Sequence, residues 1–314
     1  MGEDIDMAGK TLEQAFQKNN ALSIKEVREE ADFDRMCAIE SAICKENAGA
    51  WQLHVGELCF DRYLYGSGAA DVYNYGKLLF LGDTAIGYAL AYAKESEFEL
   101  RLLKAHEDRT YEALGLVCAL FEECDTFATV VNSSNETLCR ALLSHGFIKE
   151  DEERYQAVLD LNTWEPLTRA SINRIAPLVP ADYEERIRHA ALPSGSEVSE
   201  EMFFTYLASP AYKFAREYVV RDASTNAFMG FITWWEDKNS QSALLEPIAC
   251  LPAYRRRGVA TSLIDHGLKL LKARGIRHVF VSTSIDHESA IALYERMGFV
   301  KSGEAHLYVK RKLQ

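Results

Sequence analysis

The sequence lacks the features that mark several classes of protein. No apolar run among its 314 residues approaches the ~20 residues needed to span a bilayer. The acidic first six residues have no apolar stretch of the secretory-signal kind. Its seven cysteines form no Cys-x-x-Cys pair, which argues against a disulfide framework or a thiolate zinc site. We therefore expect a cytoplasmic protein with no metal and no membrane association.

Positive charge is scarce in the first half of the chain. Residues 1–160 carry 15 Lys and Arg against 30 Asp and Glu, a balance of −15, whereas residues 161–314 carry 20 against 17, a balance of +3. Such an acidic chain is not expected to bind nucleic acid. The asymmetry and the length together predict two domains with different roles. The acidic half could steer a cationic substrate, although a solvated surface that aids solubility is the simpler explanation.

Two motifs occur once in each half of the sequence. A strand, a turn and a second strand are predicted over residues 77–92 and again over residues 217–235. A short helix with a glycine at its end and a strand that starts on Phe follow in both halves. The matching glycines are Gly87 and Gly230 in the first motif, and Gly146 and Gly298 in the second. A repeat of this length indicates a duplicated domain, with chance similarity of two α/β units as the alternative.

The boundary between the repeats is predicted just after the strand-like residues 155–161. We expect a polar N-terminal extension over residues 1–20, a first domain over residues 21–162 and a second over residues 163–314. Each domain is predicted to be of the α/β (α+β) class, with a mixed twisted sheet flanked by helices.

The apolar segment 243–250 contains one acid, Glu246, followed by Pro247. Because proline cannot donate to a sheet ladder, we expect the strand to be bulged or locally unpaired there. Separation from the neighbouring strand would leave backbone groups available to a ligand. An ordinary edge strand is the alternative.

A turn with the pattern Arg255-x-x-Gly258-x-Ala260 precedes the next predicted helix. Small residues at a helix N-terminus expose free N–H groups and the positive end of the helix dipole, which suits a phosphate or pyrophosphate. The three consecutive arginines 255–257 add charge-assisted contacts, although an arginine run is also typical of a solvated face. The stripe predicted to face the core comprises Val259, Leu263, Ile264, Leu268 and Leu271, and Gly275 ends the helix.

These elements, followed by Leu293-Tyr294-Glu295 and Gly298-Phe299, resemble the GCN5-related N-acetyltransferase (GNAT) superfamily. The signatures cover about residues 243–300, and the double layout is similar to that of tandem members. The resemblance implies two tandem acyl-CoA N-acyltransferase domains, with acetyl-CoA as cosubstrate. We expect a primary amine of a small molecule as acceptor, because a tandem partner would tend to wall the site in, and a monomer or homodimer.

The resemblance assigns roles to individual residues. Backbone groups of Ile248, Ala249 and Cys250 would hold the pantetheine arm and the acetyl carbonyl. Tyr294 would protonate the departing thiolate. The loop that would hold the pyrophosphate comprises Arg255, Arg256, Arg257, Gly258, Val259, Ala260 and Thr261.

Glu246 is the candidate general base, acting through water on the attacking amine. Burial inside an apolar strand should raise the pKa of this carboxyl and suit it to the role. The alternative is a structural acid paired with an arginine. His287 stands where many family members have Asn, and we expect it to face solvent.

The first half departs from the family pattern. Residues 106–112 contain three acids and no glycine at the loop position, and Leu142 stands at the tyrosine position. We therefore expect a degenerate domain that does not bind acetyl-CoA in the usual manner. It could complete the sheet, shape the acceptor pocket or pair with the active domain.

Three points stay open at the level of the sequence. Six aromatic residues could line the acceptor pocket or belong to the core: Phe203, Phe204, Tyr206, Tyr212, Trp234 and Trp235. A non-catalytic acetyl-CoA sensor would carry the same signatures. Acetylation of protein or peptide amines is the third possibility, since fold does not name a substrate.

Overall fold

A computed structural model describes residues 21–47, 49–60, 62, 75–167, 174–190 and 198–312. The predicted extension over residues 1–20 lies outside this part of the chain. The strands of the first half are β1 Leu22–Glu26, β2 Gly76–Leu81, β3 Thr84–Tyr92, β4 Glu97–Leu102, β5 Thr126–Asn132 and β6 Ile148–Asp160. Those of the second half are β7 Arg174–Pro177, β8 Ala215–Arg221, β9 Phe228–Asp237, β10 Ser242–Cys250, β11 His278–Ser284, β12 Val300–Lys301 and β13 Ala305–Arg311.

Helices cover both faces of the strands. They are α1 Glu30–Glu46, α2 Val55–Phe60, α3 Thr110–Ala119, α4 Glu136–Ser144, α5 Tyr183–Arg188, α6 Glu200–Ala208, α7 Val259–Ala273 and α8 Glu288–Arg296. No helix in the described part of the chain combines the length and the apolar character needed to cross a membrane.

All strands join one mixed sheet in which the two halves exchange strands. The order is β1-β2-β3-β4-β5-β13-β6-β11-β10-β9-β8-β7, with β12 also paired to β6. The C-terminal strand β13 therefore lies between β5 and β6 of the first half. In turn, residues 154–160 of β6 pair antiparallel with β11 of the second half. The expected boundary at residues 162 and 163 follows β6, yet each half contains a strand that completes the sheet of the other.

Glycine is required at Gly87 and at Gly230 for the same structural reason. A Cβ atom on Gly87 would lie 2.3 Å from the carbonyl oxygen of Arg101, and one on Gly230 would lie 2.3 Å from that of Ala249. Real Cβ atoms do not approach this closely, so the neighbouring strand leaves room only for glycine. The two halves therefore repeat a close contact as well as a sequence pattern.

The core has one layer on one face of the sheet and two clusters on the other. The shared layer packs α1 and α2 of the first half with α6 of the second, through side chains such as Met36, Leu58 and Phe203. On the opposite face, α3 and α4 cover the first half, and α7 and α8 cover the second. Because one layer draws on both halves, the burial that stabilises each half includes the other.

The predicted stripe on α7 is confirmed, since all five of its residues are buried. Each such side chain contributes about 1.5–3 kcal/mol through removal from water. On α8 the buried side chain is Tyr294, whereas Ala290 and Leu293 are half-buried. The helix thus turns its tyrosine, rather than its leucine, towards the sheet.

Candidate active site

The strands β10 and β11 separate in the middle of the sheet. They pair in parallel only from Ser242 and His278 to Leu244 and Phe280, although β10 continues to Cys250 and β11 to Ser284. The pairing of β10 with β9 shifts register between Leu245 and Ile248, where Glu246 and Pro247 stand. The bulge and the separation predicted from the proline are both confirmed.

The side chain of Glu246 lies at this opening. It makes no hydrogen bond or ion pair with any described residue, while the Glu246 backbone carbonyl accepts a hydrogen bond of 2.6 Å from Trp235 Nε1. Burial and the nearby carboxylate of Glu57 raise the pKa of Glu246 to about 8, against an opposing effect of Arg154. The rise expected from burial is therefore present, and a second carboxyl adds to it.

Tyr294 of α8 packs in the core cluster that α7 and α8 form on the sheet. Its side chain is 5% exposed, and its ring packs edge-on against Phe299 with the centroids 5.8 Å apart. Burial and the charge of Glu246 raise the pKa of Tyr294 above its ordinary value. The influence of Glu246 on this phenol means that the two side chains share one electrostatic environment, in which the phenol stays protonated.

The turn before α7 leaves open space at its glycine. A short 3₁₀ turn over Pro252–Tyr254 leads to Gly258, which has φ +80°, a left-handed conformation that favours glycine. A Cβ atom at Gly258 would meet no atom within 4 Å. The backbone is therefore approachable at the N-terminus of α7, where helix N–H groups lack intrahelical partners.

The three arginines of this turn are exposed. Arg255 donates from Nε to the carbonyl oxygen of Cys250 at 3.4 Å, and the Arg257 guanidinium lies 5.6 Å from the ring centroid of Tyr254. None of the three forms an ion pair with a carboxylate in the described part of the chain. Their charge is available to an anionic ligand, and with the open glycine this suits a diphosphate such as that of acetyl-CoA.

The other predicted site residues occupy the remainder of this region. Ile248, Ala249 and Cys250 pair with β9 but lie beyond the last pair with β11. Val259 is the first residue of α7, and Ala260 and Thr261 follow it, half-buried.

His287 and the aromatic candidates take different positions. His287 is exposed, with its Nδ1 atom 3.1 Å from the Thr283 hydroxyl. Four of the six aromatic candidates are fully buried core residues: Phe203, Tyr206, Trp234 and Trp235. Tyr212 packs edge-on against Tyr206, and Phe204 is exposed.

A cavity of about 310 Å³ lies in the first half, at the equivalent opening. The parallel strands β4 and β5 pair only at Glu97 and Ala128, and the cavity occupies the space between them. Glu99 lines it and lies opposite Leu90, three residues after Gly87. Sequence reasoning missed this site, because only the pairing of the strands aligns Glu99 with Glu246.

The loop equivalent in the first half has the opposite charge. The 3₁₀ turn Lys104–Arg109 leads directly into α3, and Arg109 pairs with Asp108 at 3.7 Å and with Glu112 at 3.3 Å. Leu142, at the position equivalent to Tyr294, is fully buried. These features agree with the expectation of a degenerate half, which stays a prediction.

Helix α2 carries an acid from the first half to the opening in the second. The backbone of Gly56 packs so tightly on Trp235 of β9 that a Cβ atom there would lie 2.4 Å from Trp235 Cβ. Phe60, at the end of α2, packs edge-on against the same indole with the centroids 6.5 Å apart. Glu57 lies between these two residues, and its influence on the pKa of Glu246 follows from this packing.

Comparison with known proteins agrees with this geometry. Residues 184–299 match the family model described as the acetyltransferase (GNAT) family. This segment of the second half resembles the GNAT family. N-alpha-acetyltransferase 30 of Schizosaccharomyces pombe is 26% identical over 113 residues, which are 32% of this chain and 75% of that protein. The [ribosomal protein bS18]-alanine N-acetyltransferase of Escherichia coli K12 is 37% identical over 57 residues, 18% of this chain and 38% of that protein.

Solved structures extend the likeness to nearly the whole chain. A tandem GNAT protein from the clavulanic acid biosynthesis pathway superposes with a TM-score of 0.61 at 12% identity, covering 93% of this chain and 98% of its own. A GCN5-related N-acetyltransferase from Sphaerobacter thermophilus gives 0.57 at 15% identity, with 92% and 95% covered. At such identities the likeness concerns the fold, and it confirms the predicted fold class of two GNAT-type units.

Proposed function

We propose that this protein transfers the acetyl group of acetyl-CoA to a primary amine of a small molecule. The observation that carries the proposal is the opening between β10 and β11. There, a carboxyl of raised pKa and a buried phenol lie together, next to a turn suited to a diphosphate. Bound acetyl-CoA supplies the reactive thioester.

The chain's own residues hold the ends of this ligand. The exposed arginines 255–257 and the N–H groups at the start of α7 would bind the diphosphate. Backbone groups of residues 248–250, which β11 leaves unpaired, would hydrogen bond the pantetheine arm. Pre-aimed N–H groups of this kind also stabilise the oxyanion that forms as the amine attacks the acetyl carbonyl.

Two side chains carry the protons. Glu246 takes a proton from the amine nitrogen, directly or through water, as the new C–N bond forms; its pKa of about 8 suits a base that works near neutral pH. Tyr294 gives its hydroxyl proton to the thiolate as the C–S bond breaks. The proton on Glu246 then restores the phenol, so that one proton moves from nitrogen to sulfur overall.

The packing of α2 supports a small acceptor. This helix covers β9 next to Glu246 through Gly56 and Phe60, and a covered site favours small molecules over the open groove that a protein segment needs. Protein α-amines are the second candidate, since the relatives that match this chain include N-alpha-acetyltransferases and a ribosomal-protein alanine N-acetyltransferase.

CoA release from acetyl-CoA, measured with two sets of acceptors, tests the proposal. One set contains small primary amines, and the other contains short peptides with free α-amines. We expect faster release with small amines than with every peptide. Faster release with peptides would favour the second candidate, and no release with either set would contradict catalysis and support a non-catalytic sensor.

A further inference from the structure

The cavity of about 310 Å³ in the first half is lined by both halves of the chain. Glu99 and Gln156 belong to the first half, and Ser282 belongs to β11 of the second. Glu57 of α2 also lines it and acts on the pKa of Glu246. The cavity at the opening between β4 and β5 therefore shares Glu57 with the surroundings of the candidate base.

Two carboxyls in this cavity have no partner. Glu57 and Glu99 form no hydrogen bond or ion pair within the described ranges. Burial raises the pKa of Glu99 to about 7, and burial also raises that of Glu57. Glu57 acts on both Glu99 and Glu246, so it lies near both. A row of half-buried carboxyls is stabilised by a cation placed among them.

The basic residues of the cavity form no ion pair with these two carboxyls within the described ranges. Arg101 is committed to Glu40, with Nη2–Oε1 at 2.8 Å and Nε–Oε2 at 3.0 Å. Arg154 is exposed and donates from Nε to the Ser282 hydroxyl at 3.1 Å. Lys104 is exposed as well. Glu57 and Glu99 therefore line the cavity without a direct ionic partner among the described residues.

Unpaired polar groups give a second, independent indication of a ligand. Gln156 is 4% exposed and Gln52 is 8% exposed, and both line the cavity. Their side-chain oxygens accept hydrogen bonds from Asn132 and Arg101, which leaves both amide nitrogens without an acceptor among the described residues.

Two further groups are in the same situation. The Thr129 side chain, 3% exposed, lines the cavity and makes no hydrogen bond within the described part of the chain. The Trp51 indole nitrogen is buried and also lacks an acceptor there. A buried donor is costly when unpaired, so the Trp51 indole nitrogen calls for an oxygen acceptor. The donors of Gln52, Gln156 and Thr129 are available to oxygen atoms on whatever fills the cavity.

We propose that this cavity holds the acceptor and that the acceptor is an amino sugar or a similar aminated polyol. Its ammonium group meets Glu57 and Glu99, and its hydroxyl groups accept from Gln52, Gln156 and Trp51. The volume lies at the lower end of the range for small-molecule sites. The inference rests on the proposed transfer, since the amine must reach Glu246 to form the new C–N bond. The product is a neutral amide, which loses the attraction to the carboxyls and is released.

Calorimetric binding of three matched ring compounds to the full chain tests the inference. D-glucosamine has an ammonium group and hydroxyls, cyclohexylamine has the ammonium group alone, and D-glucose has the hydroxyls alone. We expect glucosamine to bind at least tenfold more tightly than either of the others. Equal binding of cyclohexylamine, equal binding of glucose, or no binding of glucosamine would overturn the inference.

Two isosteric variants locate the ligand. Glu99→Gln and Glu57→Gln should each weaken glucosamine binding about tenfold, because a charge-assisted contact is lost. Glu95→Gln, in the exposed turn before β4, is the matched control and should leave binding unchanged. A thermal melt checks that each variant is folded. Unchanged binding in both cavity variants would contradict this placement.

Measurements of binding and of CoA release distinguish a failure of the proposed binding site from a failure of the proposed transfer. Glucosamine binding that depends on Glu99, without CoA release in the presence of acetyl-CoA, would contradict the proposed reaction but support the binding site. CoA release with amines that is unaffected by Glu99→Gln would support the proposed reaction and contradict the binding site.

Discussion

Glu99 and Glu246 occupy equivalent positions in the two halves of the sheet. Glu99 lies opposite Leu90, three residues after Gly87, and Glu246 lies in the bulge opposite Thr233, three residues after Gly230. Burial raises the pKa of both carboxyls, to about 7 and about 8. The first half thus keeps the acid of the repeat, whereas its loop and tyrosine position differ. This pattern favours a role in binding the acceptor over a role in binding the cofactor.

Tyr294→Phe removes the proposed acid and keeps the ring that packs on Phe299. We expect kcat to fall about 100-fold, within the range for loss of general acid catalysis, and acetyl-CoA affinity to stay within about twofold. Tyr111→Phe, at an exposed tyrosine of α3, is the control and should change neither quantity. Steady-state CoA release and calorimetry give the two readouts. A Tyr294→Phe enzyme with the wild-type kcat across pH would show that another group protonates the thiolate.

Glu246→Gln should abolish a pH dependence of turnover. In the wild type the base must be ionised, so kcat should rise as the pH increases through about 8. An acceptor amine of low pKa keeps its own ionisation out of this range. The kcat of the variant should be lower than that of the wild type and constant over the same pH interval. Retention of the same rise in the variant would assign the titration to another group.

The same variant should be relatively more stable at alkaline pH. The pKa of Glu246 is raised from 4.5 to about 8 in the folded chain, so its stabilising contribution is complete below 4.5 and is lost as the pH rises through 8. Glutamine does not titrate. We expect the variant to gain about 4 kcal/mol of unfolding free energy relative to the wild type between pH 5 and pH 9, as measured with urea. A constant difference would mean that the carboxyl is well hydrated.

Gly230→Ala should destabilise the opening itself. The added Cβ atom would lie 2.3 Å from the Ala249 carbonyl oxygen, so β9 or β10 must shift at a cost of about 1–3 kcal/mol. Gly115→Ala is the matched control, because its Cβ atom would meet its nearest neighbour at 3.9 Å, and in a helix alanine is favoured over glycine. In thermal melts, the melting temperature should fall for Gly230→Ala and should stay level or rise for Gly115→Ala. A Gly230→Ala protein as stable as the control would contradict the close contact.

Residues 163–314 should not fold alone. This fragment lacks β5 and β6, so β11 loses one partner strand and β13 loses both, and the shared core layer loses α1 and α2. We expect exposed strand edges and aggregation, with recovery when residues 1–162 are produced together with it. Circular dichroism and size-exclusion chromatography measure both. An isolated fragment that is monomeric and cooperatively folded would show that the exchanged strands are dispensable.

Much of the second half could be predicted from the sequence, because its signals are local. Pro247 removes a ladder donor and indicates the bulge, and Gly258 stands at the start of an amphipathic helix whose stripe is buried as expected. The burial of Tyr294 depends on how α8 packs against the sheet, which a helical period does not specify.

The contribution of the first half could not be predicted in the same way. Glu57 reaches Glu246 only because α2 packs on Trp235, about 180 residues away in the sequence. The exchange of β6 and β13 is equally non-local, since the sequence pattern of each strand does not indicate that it pairs with strands of the other half. The equivalence of Glu99 and Glu246 follows from the pairing of Glu99 with Leu90, which aligns the two openings.

Titration of acetyl-CoA into the intact chain, followed calorimetrically, tests the central claim most directly. We expect one site per chain for the wild type. Gly258→Glu should abolish it, because a bulky negative side chain would occupy the open space at the start of α7. Gly146→Glu places the same charge at another left-handed glycine with open space around it, and should retain the site. Two sites, or a site that survives in Gly258→Glu, would contradict one active and one degenerate half.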